Sequence, residues 1–159
     1  MLGRLHPFFV HFPIALLVTA LVAHVLFWWR KHPSLLLFSR FLLVGAALGA
    51  LLSALSGGWA EDAAGELSAG IHEAIEQHET MGYVQAWLLP VLAMWGVMRR
   101  KSMQDRELSI FFGVMLLATV LMLYTGWLGG GLVYEHGVGI EPSVLGVTPD
   151  SSALPPNPL

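Results

Sequence analysis

Cysteine is absent from the 159-residue chain. Its absence excludes disulfide bonds, thiolate metal sites, iron–sulfur clusters and covalent attachment of a c-type heme. Charged residues are also scarce, at 12% of the sequence, whereas an ordinary soluble domain carries roughly 25%. The net charge of −3 is too small to indicate binding to nucleic acid. The sequence contains no P-loop, dinucleotide-binding fingerprint, nucleophile elbow or metalloprotease helix, so it does not indicate a stand-alone enzyme.

Apolar residues dominate what remains. They make up 55% of the chain, and the mean hydropathy is +0.66. Four apolar runs, at about residues 12–29, 35–55, 81–98 and 108–128, approach the roughly 20 residues that a membrane helix needs. We therefore expect an all-α membrane protein, with a four-transmembrane-helix bundle over residues 1–140 and a Pro-rich tail over 141–159. The lipid bilayer is its first expected partner.

The basic residues predict how the chain is oriented. Seven of the eight Lys and Arg residues lie in or beside the two short connections that join spans one to two and three to four, and only Arg4 lies elsewhere. Positive residues stay on the cytoplasmic side of a membrane. The sequence thus predicts a multi-pass protein of the bacterial inner membrane, with both termini and an acidic segment, 56–80, on the periplasmic side. Within that segment we expect a short surface helix from about Glu66 to Glu79.

The two predicted hairpins resemble each other at an offset of about 67 to 69 positions. This register pairs His11 with His78 and brings His6 close to His72. Both halves enter the membrane from outside, so the repeat would be parallel, with its axis along the membrane normal. We therefore expect His11 and His78 on opposed helices at equal depth.

Histidine is the residue type that indicates chemistry. Five of the seven histidines fall at the predicted outer face: His6, His11, His72, His78 and His136. Neutral imidazole binds iron, copper and zinc, and ionisable groups at membrane depth are costly and usually functional. A single interfacial histidine often just caps a helix or binds water and headgroups. Five at one face favour a ligand site.

Heme b is the ligand that this pattern favours, because it needs two axial imidazoles from facing helices and an apolar slot, which a four-helix bundle provides. We predict His11 and His78 as axial ligands. His6, His72 and His136 would be alternative ligands or partners of the propionates. Trp59 and Trp127 would wall the slot, although such aromatic residues commonly serve as interface anchors.

A zinc or copper site is the alternative. His72 and Glu76 are four residues apart and would share a helix face, and His78 and Glu79 follow closely, so the four side chains could hold a metal ion. His24 lies inside the first span, and the third and fourth spans offer no histidine to complete a second heme site. We expect His24 to be packed or hydrogen-bonded.

Three stretches resemble a known family: residues 6–17 (HPFFVHFPIALL), 75–79 (IEQHE) and 129–139 (GGGLVYEHGVG). They are similar to bacterial four-helix predicted membrane proteins catalogued as a domain of unknown function, and the resemblance extends to about Ile140. Relatives of that family are sometimes fused to c-type cytochrome domains, which implies membrane electron transfer. The motifs single out His11, His78 and His136.

The resulting hypothesis is a b-type cytochrome, or a cytochrome-like subunit, that carries electrons near the periplasmic face. A soluble cytochrome c or other redox subunits would be its partners, in a homo- or hetero-oligomer if one forms. Two alternatives remain open. One is a non-catalytic scaffold subunit of a larger respiratory or photosynthetic complex, and the other is a periplasm-facing metal-binding protein.

Overall fold

A computed structural model of the protein describes residues 5–62, 69–101 and 103–140. These residues form four helices, α1 (His6–Arg30), α2 (Pro33–Asp62), α3 (Ala69–Met98) and α4 (Asp105–Tyr134), and no strand. Each helix is long and apolar enough to cross a membrane. The predicted all-α, four-helix class is therefore confirmed. The predicted tail, 141–159, lies outside the described residues.

Local sequence signals mark the helix ends. Pro7 lies in the first turn of α1, where its missing N–H breaks no helical hydrogen bond. Lys31 ends α1 in the left-handed conformation, with φ of 53°, and its backbone N–H donates to Phe27 O. Proline opens α2 at residue 33, and α4 opens with Asp105, whose carboxylate suits the positive end of the helix dipole.

Helix α3 is longer than the sequence predicted. A separate surface helix from Glu66 to Glu79, followed by a span from residue 81, is wrong for the described part, since one helix continues from Ala69 to Met98. No glycine or proline that would end a helix separates the two predicted elements at Thr80 and Met81. In the first turns of this spanning helix, Glu73 and Glu76 are exposed and Glu79 is half-buried. Residues 63–68 lie outside the description.

The helices pack in chain order around a square. Contacts join α1 to α2, α2 to α3, α3 to α4 and α4 to α1, so α1 and α3 lie diagonally opposite each other. Both short connections therefore fall at one end, which we call the basic end (residues 30–33, 99–101 and 103–104). Arg40 Nη1 donates to Arg100 O over 3.0 Å and ties α2 to the second connection. The opposite end, which we call the histidine end, contains the starts of α1 and α3 and the ends of α2 and α4.

The two hairpins do repeat, but in a different register. Helices α2 and α4 each have 30 residues and begin 72 positions apart, at Pro33 and Asp105. Fully buried positions recur at the same spacing: Leu17 with Leu89, Leu43 with Met115, and Ala46 with Ala118. The predicted offset of 67 to 69 is therefore wrong. It was based on matching a few identical residues, whereas the repeated property is the pattern of burial. The register of 72 pairs His6, not His11, with His78.

Candidate functional site

His6 and His78 meet inside the histidine end of the bundle. Their ring centroids are 6.1 Å apart, and their planes are nearly perpendicular, at 86°. His6 is the first residue of α1, and His78 lies nine residues into α3. The 72-residue register sets them at equal depth on diagonally opposite helices. Both side chains are half-buried, so the pair lies between the helices rather than on the lipid-facing surface.

The Nδ1 atom of His6 is bound by α2. It lies 3.0 Å from Ser53 O and 3.0 Å from Ser56 Oγ. The Ser56 hydroxyl donates its own proton to Ser53 O, so it accepts from the histidine. Because a carbonyl oxygen can only accept, the proton of His6 is on Nδ1. The neutral ring then carries a free lone pair on Nε2.

His78 is bound in the same way by α4. Its Nδ1 lies 3.1 Å from Thr125 O, and Thr125 follows Ser53 by 72 positions. The hydroxyls of Ser53 and Thr125 both turn back to the carbonyl oxygen four residues earlier in their own helices, over 2.8 and 2.9 Å. Each imidazole is thus oriented by a main-chain carbonyl, and each presents an unprotonated Nε2.

Two glycines allow the helix backbones to approach the rings. A Cβ built on Gly129 would lie 2.9 Å from Cε1 of His78, and one on Gly57 would lie 3.3 Å from Cε1 of His6. These glycines are again 72 positions apart. The hydroxyl residues Ser53 and Thr125 were not among the site residues predicted from the sequence. The signal that would have found them is the spacing shared by the histidines, the hydroxyl residues and the glycines.

His11 does not join this cluster. Its side chain is exposed, and its Nδ1 contacts Pro7 O in its own helix. His11 follows His6 by five residues, so the two side chains point about 140° apart around the helix axis. The opposition at equal depth that we expected of His11 and His78 is therefore found for His6 and His78.

The other predicted site residues face outward. His72 and His136 are exposed, as is Glu76, and the exposed fractions of Trp59 and Trp127 are 49% and 68%. Such tryptophans are suited to the lipid interface rather than to the wall of an internal slot. Across residues 5–62, 69–101 and 103–140, no group of three or more His, Cys, Asp or Glu side chains is arranged to hold a metal ion.

The small number of ligands limits the chemistry of the pair. If the two Nε2 atoms bound one metal ion from opposite sides, with bonds of roughly 2.0 Å, the imidazole centroids would lie about 6 Å apart, and the separation here is 6.1 Å. Structural zinc sites use four protein ligands, and catalytic ones use three. Heme iron takes its remaining ligands from the porphyrin and needs only axial ligands from the protein. Two histidines are enough to supply the axial ligands of a heme, but they are fewer than the protein ligands of a zinc site.

One family profile matches the chain. It is described as "Predicted membrane protein (DUF2231)", and the match covers residues 4–142. Neither the curated proteins nor the solved structures gave a match.

Proposed function

This chain belongs to the DUF2231 family of predicted membrane proteins, and we propose that it is a b-type cytochrome that binds one heme b between His6 and His78. The observation that carries the proposal is the pair of imidazoles, 6.1 Å apart, each with Nδ1 bonded to a carbonyl of the neighbouring helix. Metal-bound histidines commonly donate their second N–H to such a carbonyl. Iron with two imidazole ligands has no open position, which favours electron transfer over oxygen chemistry.

The ligand count favours heme over zinc or copper. Of the four side chains expected to form a zinc or copper site, His72 and Glu76 are exposed, whereas His78 is half-buried and bonded to α4. Residues four apart share a helix face, so His72 and Glu76 lie together on a face of α3 that His78 does not share. Only His78 takes part in an inward-facing pair.

The proposed orientation sets the heme near the periplasm of a bacterial inner membrane. It is supported by the clustering of seven of the eight basic residues at or near the basic end, since such residues favour the cytoplasmic side. Carboxylates lie at the opposite end, with Glu73, Glu76 and Glu135 exposed. An acidic surface around the heme would steer a basic soluble carrier, such as a cytochrome c, toward the site.

Absorption spectroscopy of the detergent-purified protein tests the proposal. We expect the dithionite-reduced minus oxidised spectrum to show sharp α and Soret bands. Those bands should be lost in His6→Ala and in His78→Ala. His11→Ala is the matched control, because His11 lies one turn further along the same helix with an exposed side chain, and it should retain the bands.

Three outcomes would count against the proposal. Bands that survive in His6→Ala but vanish in His11→Ala would restore His11 as the ligand. Bands that survive in all three variants would move the heme away from this pair. A colourless wild-type protein, expressed with an adequate supply of heme, would contradict heme binding, and co-purifying subunits would then favour the scaffold role.

A further inference from the structure

Hydrogen bonds, rather than burial alone, orient the rings of the histidine pair. His24 is more deeply buried, at 1% exposed, and its ring stacks on Phe111, with centroids 5.9 Å apart and planes at 28°. Neither of its ring nitrogens has a hydrogen-bond partner among the described residues. The predicted packing of His24 is therefore observed, and the predicted alternative, a hydrogen bond, is not. His6 and His78 differ from it, because each bonds through Nδ1 to a neighbouring helix.

The His6 ring has a second hydrogen-bond acceptor, the hydroxyl of Ser56. Its Oγ lies 3.0 Å from Nδ1 of His6 and donates to Ser53 O over 3.0 Å, and Ser53 O lies 3.0 Å from the same Nδ1. The three atoms thus form a nearly equilateral triangle. Ser56 is 1% exposed, so the triangle is sealed inside the bundle. The residue 72 positions further on is Leu128, which has no hydroxyl, so this part of the site is not repeated at His78.

A second acceptor fixes the orientation of the ring. A histidine side chain turns about two bonds, Cα–Cβ and Cβ–Cγ. One Nδ1–O distance restrains a single combination of the two rotations, whereas distances to two separate oxygen atoms restrain both. His78 has a different second restraint, because three of its ring atoms lie within 3.6 Å of a Cβ built on Gly129. The corresponding contact of His6 at Gly57 is looser, with a closest distance of 3.3 Å.

We infer that Ser56 is a positioning residue of this site, and that its hydroxyl holds the His6 ring nearly perpendicular to the His78 ring, at the observed angle of 86°. The consequence for heme rests on the proposed function. The axial ligands are one of the means by which a protein tunes the electronic properties of a heme. Perpendicular imidazoles leave the two iron d orbitals with which they π-bond nearly equal in energy, whereas parallel imidazoles separate them. Ser56 would therefore set the electronic state of the bound iron without touching it.

Electron paramagnetic resonance of the oxidised, detergent-purified protein tests this consequence. Crossed imidazole planes give a strongly anisotropic low-spin signal, whose low-field feature is shifted well beyond that of the rhombic signal given by parallel planes. We expect the anisotropic signal in the wild type and its replacement by a rhombic signal in Ser56→Ala. A rhombic signal in the wild type, or the anisotropic signal in Ser56→Ala, would overturn the inference and would leave heme binding intact.

Ser39→Ala is the matched control. Ser39 is also a buried residue of α2, at 1% exposed, and its hydroxyl donates to Ala20 O of α1 over 2.8 Å. The change therefore removes one buried hydroxyl bond between the same two helices, roughly 25 Å along α2 from Ser56. It should leave the signal as in the wild type. If it altered the signal as much as Ser56→Ala does, the cause would be a general loosening of α1 on α2, and the positioning role would be refuted.

Nuclear magnetic resonance of the heme-free protein, with ¹⁵N-labelled histidine rings and in lipid nanodiscs, tests the positioning without the cofactor. The His6 resonances are identified by their absence from His6→Ala. We expect the Nδ1–H of His6 to exchange with water about two- to ten-fold faster in Ser56→Ala, because one of its two hydrogen bonds is lost. The Nδ1–H of His78 should exchange as in the wild type.

The two measurements separate this inference from the proposed function. An exchange rate of His6 that does not change in Ser56→Ala would overturn the positioning role, whether or not the protein binds heme. A colourless wild-type protein in which the His6 rate rises as expected would support the positioning role and would contradict heme binding alone.

Discussion

The close contact between Gly129 and His78 allows three nearly identical substitutions to be compared. Gly129→Ala adds one methyl group 2.9 Å from Cε1 of His78, whereas Gly57→Ala adds it 3.3 Å from Cε1 of His6. Gly130→Ala adds the same group where nothing lies within 4 Å. All three positions are within helices, so the change in helix propensity is shared and the differences report on the histidine rings.

The magnitudes follow from the distances. Ordinary contact begins at 3.4 Å, so the His78 ring must move by at least 0.5 Å in Gly129→Ala, but the His6 ring by only 0.1 Å in Gly57→Ala. The His78 ring is held by its bond to Thr125 O, so the movement strains that bond. Alanine gains about 1 kcal/mol over glycine within a helix, and overpacking costs about 1–3 kcal/mol. We expect Gly130→Ala to be about 1 kcal/mol more stable than the wild type, and Gly129→Ala to be about 1–3 kcal/mol less stable than Gly130→Ala.

Two assays follow the three variants. Unfolding in detergent should give the stability order Gly130→Ala, then Gly57→Ala, then Gly129→Ala, from most to least stable. If His78 ligates heme as proposed, the reduced-minus-oxidised spectrum should be altered in Gly129→Ala, because the His78 ring is displaced, and unchanged in Gly130→Ala. If Gly129→Ala were as stable as Gly130→Ala and had the wild-type spectrum, the close packing of α4 on His78, and the site built on it, would be refuted.

Three further changes probe the bundle and the site. Phe111→Ala removes a fully buried ring and should lower the free energy of unfolding by about 3–5 kcal/mol. Phe12→Ala is the control and should cost far less, because Phe12 is half-exposed. Equal losses would argue against the described core. Gly49→Val should weaken α1–α2 packing, because even a Cβ there lies 3.0 Å from Cδ of Pro13; an unchanged melting temperature would contradict that contact. The heme spectrum lost in His6→Gly should return when free imidazole is added, since the other ligand remains, and a failure of rescue with intact folding would argue against His6 as a ligand.

The helices could be predicted from the sequence because each depends on a long apolar run, a signal that survives without tertiary information. Their ends were harder to predict. The run at residues 81–98 marks the apolar part of α3, but the helix begins at Ala69, because polar residues with good helix propensity continue it beyond the apolar part. Composition and apolar runs were therefore enough to predict the membrane class and the number of helices. The helix lengths also depend on the helix propensity of the polar residues beside each run.

The sequence predicts a histidine pair that includes His78 and gives His6 as an alternative ligand, whereas its first choice of partner, His11, is exposed in the structure. The sequence predicts a first span from about residue 12, so His6 and His11 precede it and receive no position around a helix axis. In the structure the helix begins at His6, and that start turns one histidine inward and the other outward. The rings bond to the main-chain carbonyls of Ser53 and Thr125. Because every residue has such a carbonyl, the residue types in the sequence do not show which ones bind a histidine.

The repeat is least symmetrical around His24, and this difference has a consequence for assembly. At the 72-residue spacing, Gly96 occupies the position of His24, and Phe111 occupies that of Ser39. A second copy of the first hairpin in place of the second would set His24 against a serine, without the ring on which it stacks. A second copy of the second hairpin would remove the imidazole from beside Phe111. Each hairpin therefore fits the other better than it fits a copy of itself, and this mismatch disfavours the pairing of two chains through like hairpins.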